Sequence, residues 1–131
     1  MCGVAGVVHW DGEPVDRAEL NGMISRLRHR GPDELGATYA SPGIGLGHAR
    51  LKVIDLSGAA RQPMANASGT CWLVYNGEVY NFQELRHELE ATGSRFRSRS
   101  DTEVVLRAYE AWGAACVQRL DGMFALAVWD A

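Results

Sequence analysis

The chain has 131 residues, 47% hydrophobic and 22% charged, with 13 basic and 16 acidic side chains for a formal net charge of −3. One soluble globular domain of this size can bury roughly two thirds of its unfolded surface without disulfides or a structural metal. With Lys52 as the only lysine, the concentrated basic surface that phosphate contacts require is excluded, and the apolar run from Met123 to Trp129 is far short of the roughly 20 residues of a membrane helix. No basic segment precedes the apolar start and Asp11 and Glu13 follow it closely, so a signal peptide is not expected and the expected location is the cytoplasm. Cys2, Cys71 and Cys116 form an odd set at wide spacing, which suits neither a disulfide framework nor a paired-cysteine metal or redox motif.

In chain order, Gly3 to Trp10 is short, valine-rich and bounded by Asp11-Gly12, which predicts a buried strand with Cys2 at its tip. Asp16 followed by Glu19 starts a helix whose apolar positions Leu20, Met23, Ile24 and Leu27 recur at helical spacing up to Gly31-Pro32. Segments 35–40, 44–49 and 51–55, separated by Pro42-Gly43 and followed by Ser57-Gly58, read as consecutive strands, and Cys71 to Tyr75 as another. Asn76-Gly77 is the strongest tight-turn signal in the chain. Two amphipathic helices follow. Asn81 with Glu84 is expected to cap the first, which stops at Gly93, and Ser100 or Asp101 with Glu103 the second, which stops at Gly113. Met123 to Trp129, apolar on both faces, reads as a central strand. No repeat or linker composition divides the chain, and the order of elements predicts an α+β fold with helices packed on sheets.

Several residues could carry chemistry. Removal of Met1 would leave Cys2 with a thiol and a free α-amine on one residue, and an α-amine, with a reference pKa near 8, can take the thiol proton. A cysteine near a strand start is more often a small buried hydrophobe. Asn76, Gly77 and Glu78 offer an amide donor, an unhindered N–H and a carboxylate, as an oxyanion site would want, although Asn-Gly alone usually means a hairpin. Arg50 could grip a carboxylate through two hydrogen bonds or be a solvated rim residue. Asp101 could pair with an ammonium or cap its helix. Arg26, Arg28, His29 and Arg30 end a helix, where cations complement the macrodipole, so they are given a structural role. Gly43, Gly45 and Gly47 lack the spacing of a dinucleotide fingerprint, and the four histidines and three cysteines lack metal-ligand spacing, so neither metal nor cofactor is assigned. Cys71 and Cys116, the latter in a short helical stretch, read as core or near-surface thiols.

Six runs in order change the weight of these residues. They are Met-Cys-Gly-Val-Ala-Gly at 1–6, Arg-His-Arg-Gly-Pro-Asp at 28–33, Gly-His-Ala-Arg-Leu-Lys-Val-Ile-Asp-Leu at 47–56, Gln-Pro-Met at 62–64, Asn-Gly-Glu-Val-Tyr-Asn at 76–81 and Ser-Asp-Thr-Glu-Val at 100–104. Together they resemble the N-terminal glutaminase domain of the asparagine synthetase family, a class II glutamine amidotransferase of the N-terminal-nucleophile type. The run His48-Ala49-Arg50-Leu51-Lys52-Val53 favours that branch over the phosphosugar and purine-pathway amidotransferases.

The resemblance implies a four-layer αββα sandwich and hydrolysis of glutamine to glutamate and ammonia through a glutamyl thioester. It implies Cys2, Asn76 and Gly77 as catalytic groups, the latter two as oxyanion donors. It implies Arg50 for the substrate α-carboxylate, Asp101 and Glu78 for its α-ammonium, and Leu51, Val53 and Ile54 as pocket residues. In the family further strands follow the last segment, and then a synthetase domain that activates aspartate. Neither lies within these 131 residues, so the sandwich is expected to be truncated on its C-terminal side. No cofactor is expected in this domain, and ATP and Mg²⁺ only with that synthetase domain. The implied partners are glutamine and a synthetase domain, in cis or in trans, that receives the ammonia; a homodimer is left open, and neither nucleic acid nor membrane is expected. Two alternatives stand beside this reading: the same glutaminase serving a sugar, cell-surface polymer or natural-product acceptor, and a noncatalytic partner-binding fragment.

Overall fold

A computed structural model describes residues 1–131. Three strands, β1 (Gly3–Val8), β2 (Glu34–Ser41) and β3 (Ile44–Arg50), form an antiparallel sheet in the order β1-β3-β2. Pro42-Gly43 joins β2 to β3, with a bulge between Tyr39 and Ser41. A second antiparallel sheet contains β4 (Met64–Ala65), β5 (Cys71–Val79) and β6 (Gly122–Asp130), in that order. Helix α1 (Arg17–Arg26) lies on the first sheet, while α2 (Phe82–Ala91) and α3 (Asp101–Trp112) belong to the second. The two sheets face each other through Ile44 and Leu46 of β3 and Val74 of β5, closed round by Val4, Trp72 and Trp129. The layers therefore run helix, sheet, sheet, helices, the αββα arrangement expected. No helix is long and apolar enough to cross a membrane.

Local signals explain most of the boundaries. The Asp16 carboxylate accepts from the Ala18 N–H at 2.8 Å and starts α1. Ser100 starts α3 by accepting from the Glu103 N–H at 3.2 Å. Gly93 and Gly113, with φ of 101° and 60°, sit just past α2 and at the end of α3, where the left-handed backbone region favours glycine. Alternation along β3 sends Gly45, Gly47 and Ala49 toward α1 and Ile44, Leu46 and His48 toward the second sheet. Cys71 and Cys116 are both buried, the latter in the 3₁₀ turn Gly113–Arg119, and burial pushes the Cys71 thiol up to about 11 and the Cys116 thiol also upward.

Three expectations fail. Residues 51–55 form no strand, because the chain leaves β3 at Arg50 and turns. Asn76-Gly77 is not a hairpin turn but the interior of β5, and neither residue has a positive φ. A Cβ on Gly77 would lie 2.4 Å from the Met123 carbonyl oxygen, so this glycine serves the close approach of β6. Asn81 precedes α2 without capping it, because its amide is spent on the Arg119 carbonyl (3.0 Å) and the Asp121 N–H (3.0 Å). Within residues 1–131 β6 pairs with β5, and its side chains alternate between half-buried and exposed.

Candidate active site

Pairing of Gly3 with Ala49 at the end of β1 and β3 places Cys2 beside the chain as it leaves Arg50. The half-buried Cys2 Sγ accepts from the Leu51 N–H at 3.3 Å, and the Cys2 carbonyl accepts from Arg30 Nε at 3.0 Å. A cavity of about 280 Å³ opens in front of the sulfur. Its walls include every residue expected at the site: Cys2, Arg50, Leu51, Val53 and Ile54 from the first half, and Asn76, Gly77, Glu78 and Asp101 from the second. That volume suits a single amino-acid substrate better than a larger ligand.

The charged groups are held, not loose. Arg50 is buried, with Nη1 donating to Glu34 Oε2 and to the Ser57 carbonyl, each at 3.0 Å, and Nη2 donating to the Asp55 carbonyl. A guanidinium has five N–H donors, so two remain for a ligand carboxylate. Glu34 is shared with Arg61, and although burial pushes its carboxyl up, the hydrogen bonds from Arg61 and Arg50 outweigh this and hold it below the usual carboxylate range. Asp101 opens α3, and its Oδ2 accepts from the Tyr75 hydroxyl at 2.7 Å and the Val79 N–H at 3.2 Å, while Oδ1 accepts from the Thr102 N–H at 3.0 Å. An ionised carboxylate has about four acceptor positions, which leaves one for a ligand cation. Burial and the neighbouring Asp101 carboxylate push the Tyr75 hydroxyl strongly upward, so it stays a donor. Glu78 is exposed at the rim.

Between these anchors lies β5. The Tyr80 N–H bonds the Asp121 carbonyl (2.6 Å) and the Ala131 N–H bonds the Thr70 carbonyl (3.0 Å), which makes the even-numbered positions of β5 the ones hydrogen-bonded to β6. The N–H groups of Tyr75, Gly77 and Val79 therefore point to the opposite edge. Tyr75 N–H is taken by Gln62 Oε1 at 2.6 Å and Val79 N–H by Asp101, and no protein acceptor meets Gly77 N–H. Next to it the Asn76 carboxamide faces the space between the sheets, its oxygen buried without a partner. An uncommitted backbone N–H beside a carboxamide whose NH₂ group can donate, both lining a cavity that holds a thiol, is what stabilisation of a tetrahedral oxyanion requires.

The family model of the glutamine amidotransferase domain matches residues 1–131. The chain belongs to that family. The glutamine-hydrolysing asparagine synthetase 3 of Bacillus subtilis (strain 168) is 42% identical over 133 residues, covering 99% of this chain and 21% of that protein. A probable glutamine-hydrolysing asparagine synthetase of Dictyostelium discoideum is 41% identical over 132 residues, covering 99% of this chain and 23% of that protein. The chain thus spans about a fifth of the length of the curated relatives it matches. Among solved structures, the glutamine phosphoribosylpyrophosphate amidotransferase of B. subtilis superposes with a TM-score of 0.58 at 23% identity, over 97% of this chain and 29% of that one, and shows the shared fold.

Within this glutamine amidotransferase domain, several residues that the sequence does not mark hold the groups lining the cavity. Arg30 reads as a helix-ending cation, yet α1 stops at Arg26 and Arg30 instead holds the Cys2 carbonyl. His29 keeps the structural role, its Nδ1 2.9 Å from the Arg26 carbonyl. Glu34 and Tyr75 reach the anchors Arg50 and Asp101 from neighbouring strands, a long-range placement that leaves no local pattern. Gln62 was visible in the Gln-Pro-Met run but had no chemistry of its own to mark it.

Proposed function

We propose that this domain hydrolyses glutamine to glutamate and ammonia through a thioester on Cys2. The observation that carries the reading is the convergence on one cavity of a thiol at position 2, the Gly77 N–H and the Asn76 carboxamide on β5, and two opposite charges, Arg50 and Asp101, each keeping free hydrogen-bonding capacity. Loss of Met1 exposes the Cys2 α-amine. That amine takes the thiol proton, and sulfur attacks the substrate δ-carbon as the carbonyl π pair moves to oxygen. The Asn76 amide and Gly77 N–H receive the oxyanion, each such donor contributing about 3–4 kcal/mol. Collapse expels the amide nitrogen, which leaves as ammonia with the proton returned from the α-ammonium, and water then cleaves the thioester to glutamate. Arg50 takes the substrate α-carboxylate, while Asp101 and the rim Glu78 take its α-ammonium. Asparagine, one methylene shorter and held by the same two anchors, leaves its carboxamide short of the sulfur.

The kinship with asparagine synthetases supports aspartate as the acceptor of the ammonia, activated with ATP and Mg²⁺ in a synthetase domain acting in cis or in trans. The test is intact mass together with glutamate release, before and after exposure to a diazo-ketone analogue of glutamine. Loss of Met1, one adduct on Cys2 and a matching loss of glutamate release are expected, and Cys2→Ala should fold but release no glutamate. Undiminished release from Cys2→Ala would overturn the reading.

A further inference from the structure

We infer that Gln62 is a positioning residue that keeps the oxyanion-binding edge of β5 in place and open at Gly77. The inference rests on the glutaminase reading above and deepens it. β4 is only two residues long and covers β5 opposite Leu73 and Trp72, so toward the cavity that edge of β5 has no strand beside it. An unpaired edge leaves backbone groups free to twist or to bind elsewhere. Here side chains stand in for the missing strand. Gln62 Oε1 accepts from the Tyr75 N–H at 2.6 Å, and His48 Nε2 donates to the Tyr75 carbonyl at 3.0 Å, so both backbone groups of the residue before Asn76 are fixed. Two residues further on, Asp101 takes the Val79 N–H. Gly77 lies midway between these two fixed points, and its N–H is the one on this edge that they leave for a substrate atom.

The same Gln62 side chain reaches the opposite anchor, its Nε2 donating to Thr102 Oγ1 at 3.4 Å, one residue after Asp101. Gln62 is 5% exposed and each end of its amide has a partner, and a buried amide held at both ends defines one geometry rather than several. The two ends separate two effects. The Oε1 end sets the height of Gly77 and Asn76 against the sulfur, which matters when the oxyanion forms. The Nε2 end ties the first turn of α3 to β5, which bears on Asp101 and so on substrate binding.

Kinetics of glutamate release by the full chain test this. Gln62→Leu removes both ends and is expected to lower kcat at least about tenfold, because a misplaced oxyanion donor acts on the transition state, and to raise KM no further than loss of the Nε2 end alone does. Thr102→Val removes only the Nε2 acceptor and should raise KM while holding kcat within about threefold. Gln62→Glu keeps an acceptor for Tyr75 N–H and should likewise stay within about threefold of the parent kcat. Alkylation of Cys2 by iodoacetamide needs no oxyanion donor, and its rate should be the same in all four proteins. Parental kcat in Gln62→Leu, or a loss matched by equally slowed alkylation, overturns the inference. Should Gln62→Leu not fold, Gln62→Glu decides, a tenfold or greater fall in its kcat counting against the role. A parent chain that releases no glutamate would instead refute the glutaminase reading itself.

Discussion

The two halves of the molecule meet at one cavity but are assembled on different terms. In the second half, twelve buried residues from β4, β5, α2, α3 and the turn after α3 fill the space between sheet and helices with side-chain volume. In the first half, four buried residues suffice, because α1 sits directly on glycine positions of β3. A Cβ on Gly47 would fall 2.5 Å from Ile24 Cγ1. One half is held by what its side chains fill and the other by what its strand lacks. The division carries into the site. The side-chain-rich half supplies the donors and Asp101, on a strand and a helix terminus. The glycine-floored half supplies Cys2 and Arg50, steadied by the turns after β3, where Asp55 Oδ2 accepts from the Arg99 N–H at 2.8 Å and joins the halves.

Large-to-small substitutions should expose the contrast most strongly. Leu73→Ala, at a fully buried position walled by two helices that cannot settle inward together, is expected to cost about 4–5 kcal/mol in urea unfolding. Ile24→Ala should cost only about 2–3 kcal/mol, since α1 alone can close onto the glycine strand. Equal costs would mean that the two cores relax alike.

The next effect concerns a buried link between the halves. His48 of β3 is fully buried, and because a carbonyl can only accept, its Nε2 carries the hydrogen given to Tyr75 while Nδ1 has no partner. Burial lowers its pKa to about 4, against the opposing pull of the Tyr75 hydrogen bond. Unfolded histidine titrates near 6.5, so the unfolded chain gains a proton that the folded one refuses. The stability from this residue is therefore complete above about pH 6.5 and is lost as pH falls toward 4, by up to about 3 kcal/mol. Urea midpoints taken between pH 7.5 and 4 should fall less steeply in His48→Gln than in the parent; parallel curves would place the titration elsewhere. Smaller again is Gly47→Ala, expected to cost about 1–3 kcal/mol by overpacking. In an Ile24→Ala background the added methyl meets open space, and the pair should cost less than the sum by about 1 kcal/mol or more. Strict additivity would show that α1 does not rest on Gly47.

How much of this could be read beforehand follows the same division. Strands, helix starts at Asp16 and Ser100, and the helix stops at Gly93 and Gly113 are local events, and the sequence carries them openly. All nine residues expected at the site line one cavity, and each is marked by a run whose pattern is distinctive. Asn76-Gly77 misled because a glycine serving the close approach of β6 has the same spelling as a glycine serving a turn. Gln62, Glu34, Tyr75 and Arg30 act through partners 13 to 28 residues away, distances at which neither periodicity nor spacing leaves a trace.

The smallest expected effect separates two arginines that share one carboxylate. Glu34 bonds Arg50, whose side chain is 6% exposed, and Arg61, whose side chain is 68% exposed. An exposed pair is screened by water and loses side-chain entropy, so Arg61→Ala should change stability by less than about 1 kcal/mol. It should also leave KM for glutamine within about twofold, because Arg61 is not among the residues lining the cavity. Arg50→Ala removes a buried cation and the proposed carboxylate anchor together, and a lost charged hydrogen bond of about 1.5–3 kcal/mol corresponds to a KM rise of about 10- to 150-fold. If Arg61→Ala raised KM as far as Arg50→Ala does, the carboxylate would have to be held by the Glu34 pair as a unit, and the first half of the site would extend to the protein surface.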